Sequence, residues 1–277
     1  MKRKNKSRIS LATWRRLAAV TFLALLVVGR YWDSAFANGS LTSVNWFGML
    51  HIVDPLAAIE NLIASRSVHF DIVLGGSILA VLSAVLIGRA FCGWLCPLGL
   101  VLDLNDVVRR RLQRKRNKRV GPRQLKYWVL LFVILLAAFS ALPVFQTFSP
   151  INYLVWLAVF AFDAGATSML LGSLPLILLM AVEWISPRLW CRSLCPLGAF
   201  YSIVGRFGLW RIKIGEVSET PMMCGRCTRE CSMGIQVMEQ FVHNDHNAIR
   251  DPECTRCGDC VDICPQERLC EGVVITV

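Results

Sequence analysis

The sequence predicts a membrane α-helical protein, four transmembrane helices as two repeated pairs, followed by a small α+β unit rich in cysteine. Three observations carry this. The 277 residues are 55% hydrophobic and only 18% charged, more apolar surface than a soluble domain of this size can bury. Four apolar stretches approach the roughly 20 residues that a spanning helix needs. The segment Gly88–Gly99 also recurs, in pattern, as Pro187–Gly198. Mean hydropathy is +0.51.

The apolar stretches are Leu17–Trp32, Ile72–Gly88, Tyr127–Phe148 and Met169–Ser186. Short cytoplasmic loops collect Lys and Arg. Here Lys2, Arg3, Lys4, Lys6 and Arg8 crowd the N-terminus, and ten basic residues lie between Arg109 and Lys126. Leu41–Asp71 has only Arg66, and Gln146–Thr167 has no Lys or Arg. This asymmetry places both termini on the cytoplasmic side. It also accounts for the net charge of +11. The run Arg109–Arg119 is read as topology and anionic-lipid contact, not as a nucleic-acid site. The basic start and Ala35-Phe36-Ala37 resemble a signal peptide, but Arg30 and the bulky Tyr31-Trp32-Asp33 favour an uncleaved anchor. The outer loops, Leu41–Ala64 and Ile151–Phe162, are apolar enough to lie along the interface or re-enter it. The domain boundaries that follow are 1–16, basic terminus; 17–105, first helix pair; 106–126, basic loop; 127–205, second helix pair; and 206–277, the cysteine-rich unit.

Each copy of the repeat ends in C-x3-C-P-L-G, with Cys92 and Cys96 in the first and Cys191 and Cys195 in the second. Thiols four apart share one helix face. Two parallel repeats often build one site at their interface. The four thiols could hold a metal or cluster, or cycle between dithiol and disulfide. The plainer reading is small buried residues beside a helix-ending proline.

Eight of the 12 cysteines lie between Cys224 and Cys270, at spacings that suit metal ligation rather than a disulfide framework. Cys254-x2-Cys257-x2-Cys260-x3-Cys264-Pro265 is the bacterial ferredoxin run for a [4Fe–4S] cluster. Zinc would also take four thiols but does not explain the C-x3-C-P end. The fourth cysteine of such a run ligates the other cluster of a pair. The upstream partner keeps Cys224, Cys227 and Cys231, but Pro221 falls on its first position and Ser232 replaces the usual proline. One set is then complete: Cys254, Cys257, Cys260 and Cys231. The other holds Cys224, Cys227 and Cys264, with Cys270 the nearest spare thiol. A [3Fe–4S] cluster, or a ligand from a C-x3-C-P motif, would also satisfy it. The 206–277 unit is thus a ferredoxin-like cytoplasmic domain carrying two clusters. His243 and His246, between the motifs, read as solvated surface.

With these residues in place, the chain resembles the ferredoxin-type membrane proteins of the NapH and MauN kind, within a wider group that includes NosR-like and CcoG-like proteins. The residues carrying the resemblance are Cys92, Cys96-Pro97, Cys191, Cys195-Pro196 and the two C-terminal cysteine runs. No loop could hold a NosR-like flavin region, and only thirteen residues follow Cys264, against the longer CcoG-like tail. The resemblance implies a multi-pass protein of the bacterial inner membrane. NapH resemblance implies a quinol dehydrogenase subunit passing electrons toward periplasmic nitrate reduction. MauN resemblance implies maturation of, or electron transfer to, methylamine dehydrogenase.

Quinol is apolar and gives up two electrons and two protons, whereas a cluster takes one electron at a time. A membrane domain joined to clusters suits that division. Intramembrane acids are functional candidates, which singles out Glu183, although pairing with Arg188 would explain it structurally. His51 and Asp54, with Trp46 and Phe47, could form an outer quinol pocket. The chain has no G-x-G-x-x-G nucleotide loop and no haem C-x-x-C-H. Its expected partners are the membrane, the quinone pool, and a second iron–sulfur subunit or a multihaem cytochrome, with no nucleic acid. The rival reading is an assembly factor that reduces a metal or disulfide in another enzyme; a redox sensor is a third.

Overall fold

The computed structural model describes residues 10–31, 37–40, 43–46, 50–65, 70–82, 88–112, 121–159, 166–215, 224–265 and 269–273. Residues 1–9, residues 113–120 of the basic loop and the end of the second apolar stretch lie outside these. Helix dominates: α1 (Leu11–Tyr31), α2 (Pro55–Ser65), α3 (Phe70–Leu82), α4 (Ala90–Trp94), α5 (Pro97–Leu112), α6 (Leu125–Ser140), α7 (Val144–Phe148), α8 (Pro150–Val159), α9 (Ala166–Ile185) and α10 (Pro196–Val204). Between α1 and α2 runs an antiparallel sheet of β1 (Ala37–Ser40), β2 (Ser43–Trp46) and β3 (Leu50–Val53).

The expectation of four transmembrane helices is overturned. Among the described residues no helix is long and apolar enough to cross a membrane. The reasons are local. α1 carries Arg15, Arg16 and Arg30, and Arg15 is drawn into ion pairs with Asp103 and Asp259. The described part of α3 is 13 residues. The Tyr127–Phe148 stretch is two helices, because Ala141 caps α6 in the left-handed region and Pro143 precedes α7. At 1.5 Å per residue the 16 residues of α6 reach about 24 Å, short of a ~30 Å hydrocarbon core. α9 contains Pro175 mid-helix and Glu183 in its last turn.

The duplication is structural as well as sequential. In the first copy α3 leads to α4, which carries Cys92, and Pro97 then opens α5. In the second, α9 leads to a π-helical turn, Trp190–Leu194, which carries Cys191, and Pro196 then opens α10. Proline suits a first helical position, where no N–H is needed and φ is already helical. One core collects Leu56, Cys96, Leu98, Leu102, Leu130, Val133, Cys195, Leu197 and Tyr201. Leu56 comes from α2, inside the expected outer loop, yet is fully buried with the thiols of both repeats.

The C-terminal unit has its own core, Ile212, Cys227, Cys231, Met233, Ile235, Val237, Ile249, Cys260 and Leu269. It is built from β4 (Trp210–Ile214), α11 (Arg226–Glu230), α12 (Asp259–Asp262) and β5 (Leu269–Val273), with β4 and β5 antiparallel. Cys191 packs against both cores and so stands at their junction.

Candidate functional site

The loop carrying Cys254 and Cys257 bends sharply at Arg256 and Gly258, both at positive φ. α12 then brings Cys260 back toward Cys231, which follows α11. Cys231, Cys254, Cys257 and Cys260 line one small cavity, whose other walls include Ile212, Met233, Ile235, Val237 and Ile249. These are the four residues of the complete set read from the spacing. Among the described residues no three His, Cys, Asp or Glu side chains converge as one metal ion would require. The four thiols instead surround a void, the arrangement for a cluster whose irons sit at separate corners. Ile235 N–H donates to Cys231 Sγ at 3.4 Å, a bond that favours thiolate. Burial pushes the Cys254 and Cys257 thiols up to about 12 and Cys260 well above its usual range. Bound iron would supply the charge that these buried sulfurs otherwise lack. The residues therefore fit a [4Fe–4S] cluster.

Cys224, Cys227 and Cys264 form a second group. The Cys227 thiol is raised by burial, then by the charges of Cys264 and Cys224. Gly225, between the first two, has φ +57°, and a Cβ there would meet open space. Cys270 stands on β5 opposite Lys213, and its side chain lies outside the described residues. His243 and His246 are exposed.

The third group is Cys92, Cys96, Cys191 and Cys195, brought into one core from both repeats. All four are free thiols. Burial raises Cys96 to about 12 and Cys191 to about 11.

The repeats and the C-terminal unit are locked together through the cysteine loop. Arg89, 1% exposed, pairs with the Glu253 carboxylate and donates from Nη2 to the Cys191 carbonyl at 2.7 Å. Lys126, fully buried, also pairs with Glu253. Tyr127 Oη and Ser202 Oγ donate to Glu253 Oε1 at 2.9 and 3.0 Å. Burial raises the Glu253 carboxyl, but the charges of Arg89 and Lys126 outweigh it and hold it below its ordinary value. Burial, with Arg89 beside it, lowers Lys126 to about 8. Trp94 Nε1 donates to the Arg256 carbonyl at 3.0 Å. A Cβ at Gly93 would lie 2.6 Å from the Thr255 carbonyl oxygen, so the chains touch there.

Sequence reasoning missed this clamp. Arg89 and Glu253 are 164 residues apart, and Lys126 was absorbed into a basic loop read as topology. The one available signal was Arg89 itself, repeated as Arg188 three residues before each first cysteine. Arg188 does not pair with Glu183 but with Asp103. Glu183, 3% exposed, accepts the main-chain N–H of Leu189 at 3.2 Å and of Trp190 at 2.8 Å. It thus ties the π-helical turn to the end of α9. His51 lies on β3 opposite Asn45, and its side chain is outside the described residues. Asp54 precedes α2; its Oδ1 is buried with no partner among the described residues, and its charge reaches Cys92 and Tyr201.

A family model described as a 4Fe-4S binding domain matches residues 68–117 and again 166–215, and one described as a 4Fe-4S dicluster domain matches residues 222–269. The chain is a ferredoxin-type protein of the NapH and MauN kind. It is 29% identical over 257 residues to ferredoxin-type protein NapH of Haemophilus influenzae, covering 92% of this chain and 86% of that one. It is 35% identical over 199 residues to methylamine utilization ferredoxin-type protein MauN of Methylobacillus flagellatus, covering 70% of this chain and 66% of that one. The putative electron transport protein YccM of Escherichia coli is 28% identical over 269 residues, 91% of this chain and 73% of that one. No solved structure matches. This ferredoxin-type protein is therefore an iron–sulfur electron-transfer protein. The 4Fe-4S binding model covers both copies of its repeat.

Proposed function

We propose that this ferredoxin-type protein oxidises quinol at the bacterial inner membrane and delivers the electrons singly to a respiratory reductase. Periplasmic nitrate reductase is the acceptor that the NapH likeness suggests. The observation that carries the proposal is the clamp: the loop holding Cys254 and Cys257 is bonded to the repeat segment through Arg89 and Trp94 and packs closely against it at Gly93. An electron entering at the repeats has a short, rigid route to the cavity thiols. The bound clusters supply one-electron steps at potentials tuned by burial and hydrogen bonds.

Oxidising one hydroquinone to quinone releases two protons and two electrons, one electron to each of two successive acceptors. Asp54 Oδ1, unpartnered beside Cys92, is better placed to take a proton than Glu183, both of whose oxygens already accept main-chain N–H. Exposed apolar faces support contact with lipid: on α6 Trp128 is 69% and Phe139 88% exposed.

The higher identity to MauN favours a second reading, electron delivery to another enzyme's metal centre during its maturation. Anaerobically purified protein titrated with menaquinol and followed by EPR separates the two. Reduction of the clusters, slowed by Asp54→Asn and unchanged by Glu183→Gln, supports the first. Clusters that quinol leaves oxidised while dithionite reduces them overturn it.

A further inference from the structure

We propose that Cys92, Cys96, Cys191 and Cys195 jointly hold one further [4Fe–4S] cluster, shared between the repeats and impossible for either alone. This rests on the iron–sulfur reading of the chain. Each match to the 4Fe-4S binding domain contains only two cysteines, 92 and 96 in one, 191 and 195 in the other. A cubane takes one thiolate per iron, four in all. One cluster per repeat would lack half its ligands; one cluster for the pair is complete.

The packing supplies what a shared cluster needs. Cys96 and Cys195 are buried in one core, with Cys92 and Cys191 against it. The environment favours anionic sulfur. Gly198 N–H, in the first turn of α10, donates to Cys195 Sγ at 3.3 Å, and the N–H groups of Gly99 and Leu98, in the first turn of α5, favour the thiolate form of Cys96. Two helix N-termini thus point at two of the thiols. Arg89 stands beside Cys92, Cys191 and Cys195, and Arg188 beside Cys191. A dithiol store would need no such concentration of positive charge. Two donors are also left over: Arg89 Nε and Trp190 Nε1 are buried without an acceptor among the described residues. Sulfide corners of a cluster would be their acceptors. Cys191, against both cores, makes this site the neighbour of the Cys254 cavity.

The test is iron and sulfide counting with EPR and Mössbauer spectra on the anaerobically purified full chain, wild type, Cys92→Ser and Cys191→Ser. Wild type is expected to carry about four irons more than the C-terminal unit accounts for. Each variant, one from each repeat, is expected to lose those four and the same spectral component, while the C-terminal signals persist. Additive losses of two different components would mean one site per repeat and overturn the proposal. Should either variant fail to fold, native alkylation of wild type decides. Protection of all four repeat thiols until the iron is chelated supports the cluster; ready alkylation beside intact C-terminal signals sinks the shared site alone. A chain without any iron sinks the underlying reading as well.

Discussion

Glu253 sits next to a cavity thiol and neutralises two buried cations at once. Removing it by Glu253→Ala leaves Arg89 and Lys126 without their counter-charge in a water-poor core, a loss on the order of 3–5 kcal/mol. Glu253→Gln keeps the shape and some of the hydrogen bonds and should lose less. Thermal unfolding under argon ranks the three proteins, and equal midpoints would show that the clamp carries no stability. Asp54 gives a second residue-level expectation. Burial, opposed by the Leu56 N–H and helped by the charge of Glu60, raises its carboxyl from 3.8 to about 7. A raised folded pKa means stability that is fully present below the unfolded value and is lost as pH climbs to the folded one. Wild type should therefore lose about 1.4 kcal/mol per pH unit, relative to Asp54→Asn, between roughly pH 4 and 7, and nothing more above that. Parallel guanidinium unfolding curves over that window would refute it. The cysteines were readable because ligand spacing is local in sequence. Glu253 was not, since its partners Arg89 and Lys126 are set by which helices pack together.

α1 shows how an element can be half legible. Its apolar composition announces a helix, but its attachment comes from the far end of the chain. Asp262 accepts Ser10 Oγ at 2.8 Å and the N–H groups of Leu11 and Ala12 at 3.3 Å, capping α1 from α12. One turn later Arg15 pairs with Asp103 and Asp259. Asp262→Ala removes the cap and should cost about 1 kcal/mol. Faster amide exchange across residues 10–15, with the cluster spectra unchanged, is the expected reading; unchanged exchange would mean that Arg15 alone holds the helix. α6 was misjudged in extent for a related reason. Its hydrophobic run continues to Phe148, and hydrophobicity alone gives no stop. The stop lies in backbone geometry at Ala141 and in Pro143.

At the scale of the molecule, two apolar surfaces compete for explanation. α6 turns Lys126, Leu130, Val133 and Ala137 inward, a spacing of four, three and four. It turns Trp128, Phe132, Leu135 and Phe139 outward at the same spacing. The inward face made the core; the outward face is exposed among the described residues. On α9 Leu174, Ile177, Leu178 and Ile185 are likewise exposed. The high apolar fraction that suggested spanning helices therefore resides largely in outward faces of helices too short or too interrupted to qualify. Composition could not distinguish these cases, because it counts apolar residues without saying where each helix ends. Exposed apolar faces of this kind mark contact with lipid or a partner. The triple substitution Trp128→Ser, Phe132→Ser and Phe139→Ser should leave the folded core intact, since all three side chains point away from it. It should abolish co-flotation with phosphatidylethanolamine–phosphatidylglycerol vesicles, which wild type is expected to show. Undiminished flotation with native thermal stability would move the lipid contact elsewhere and leave this face for a protein partner.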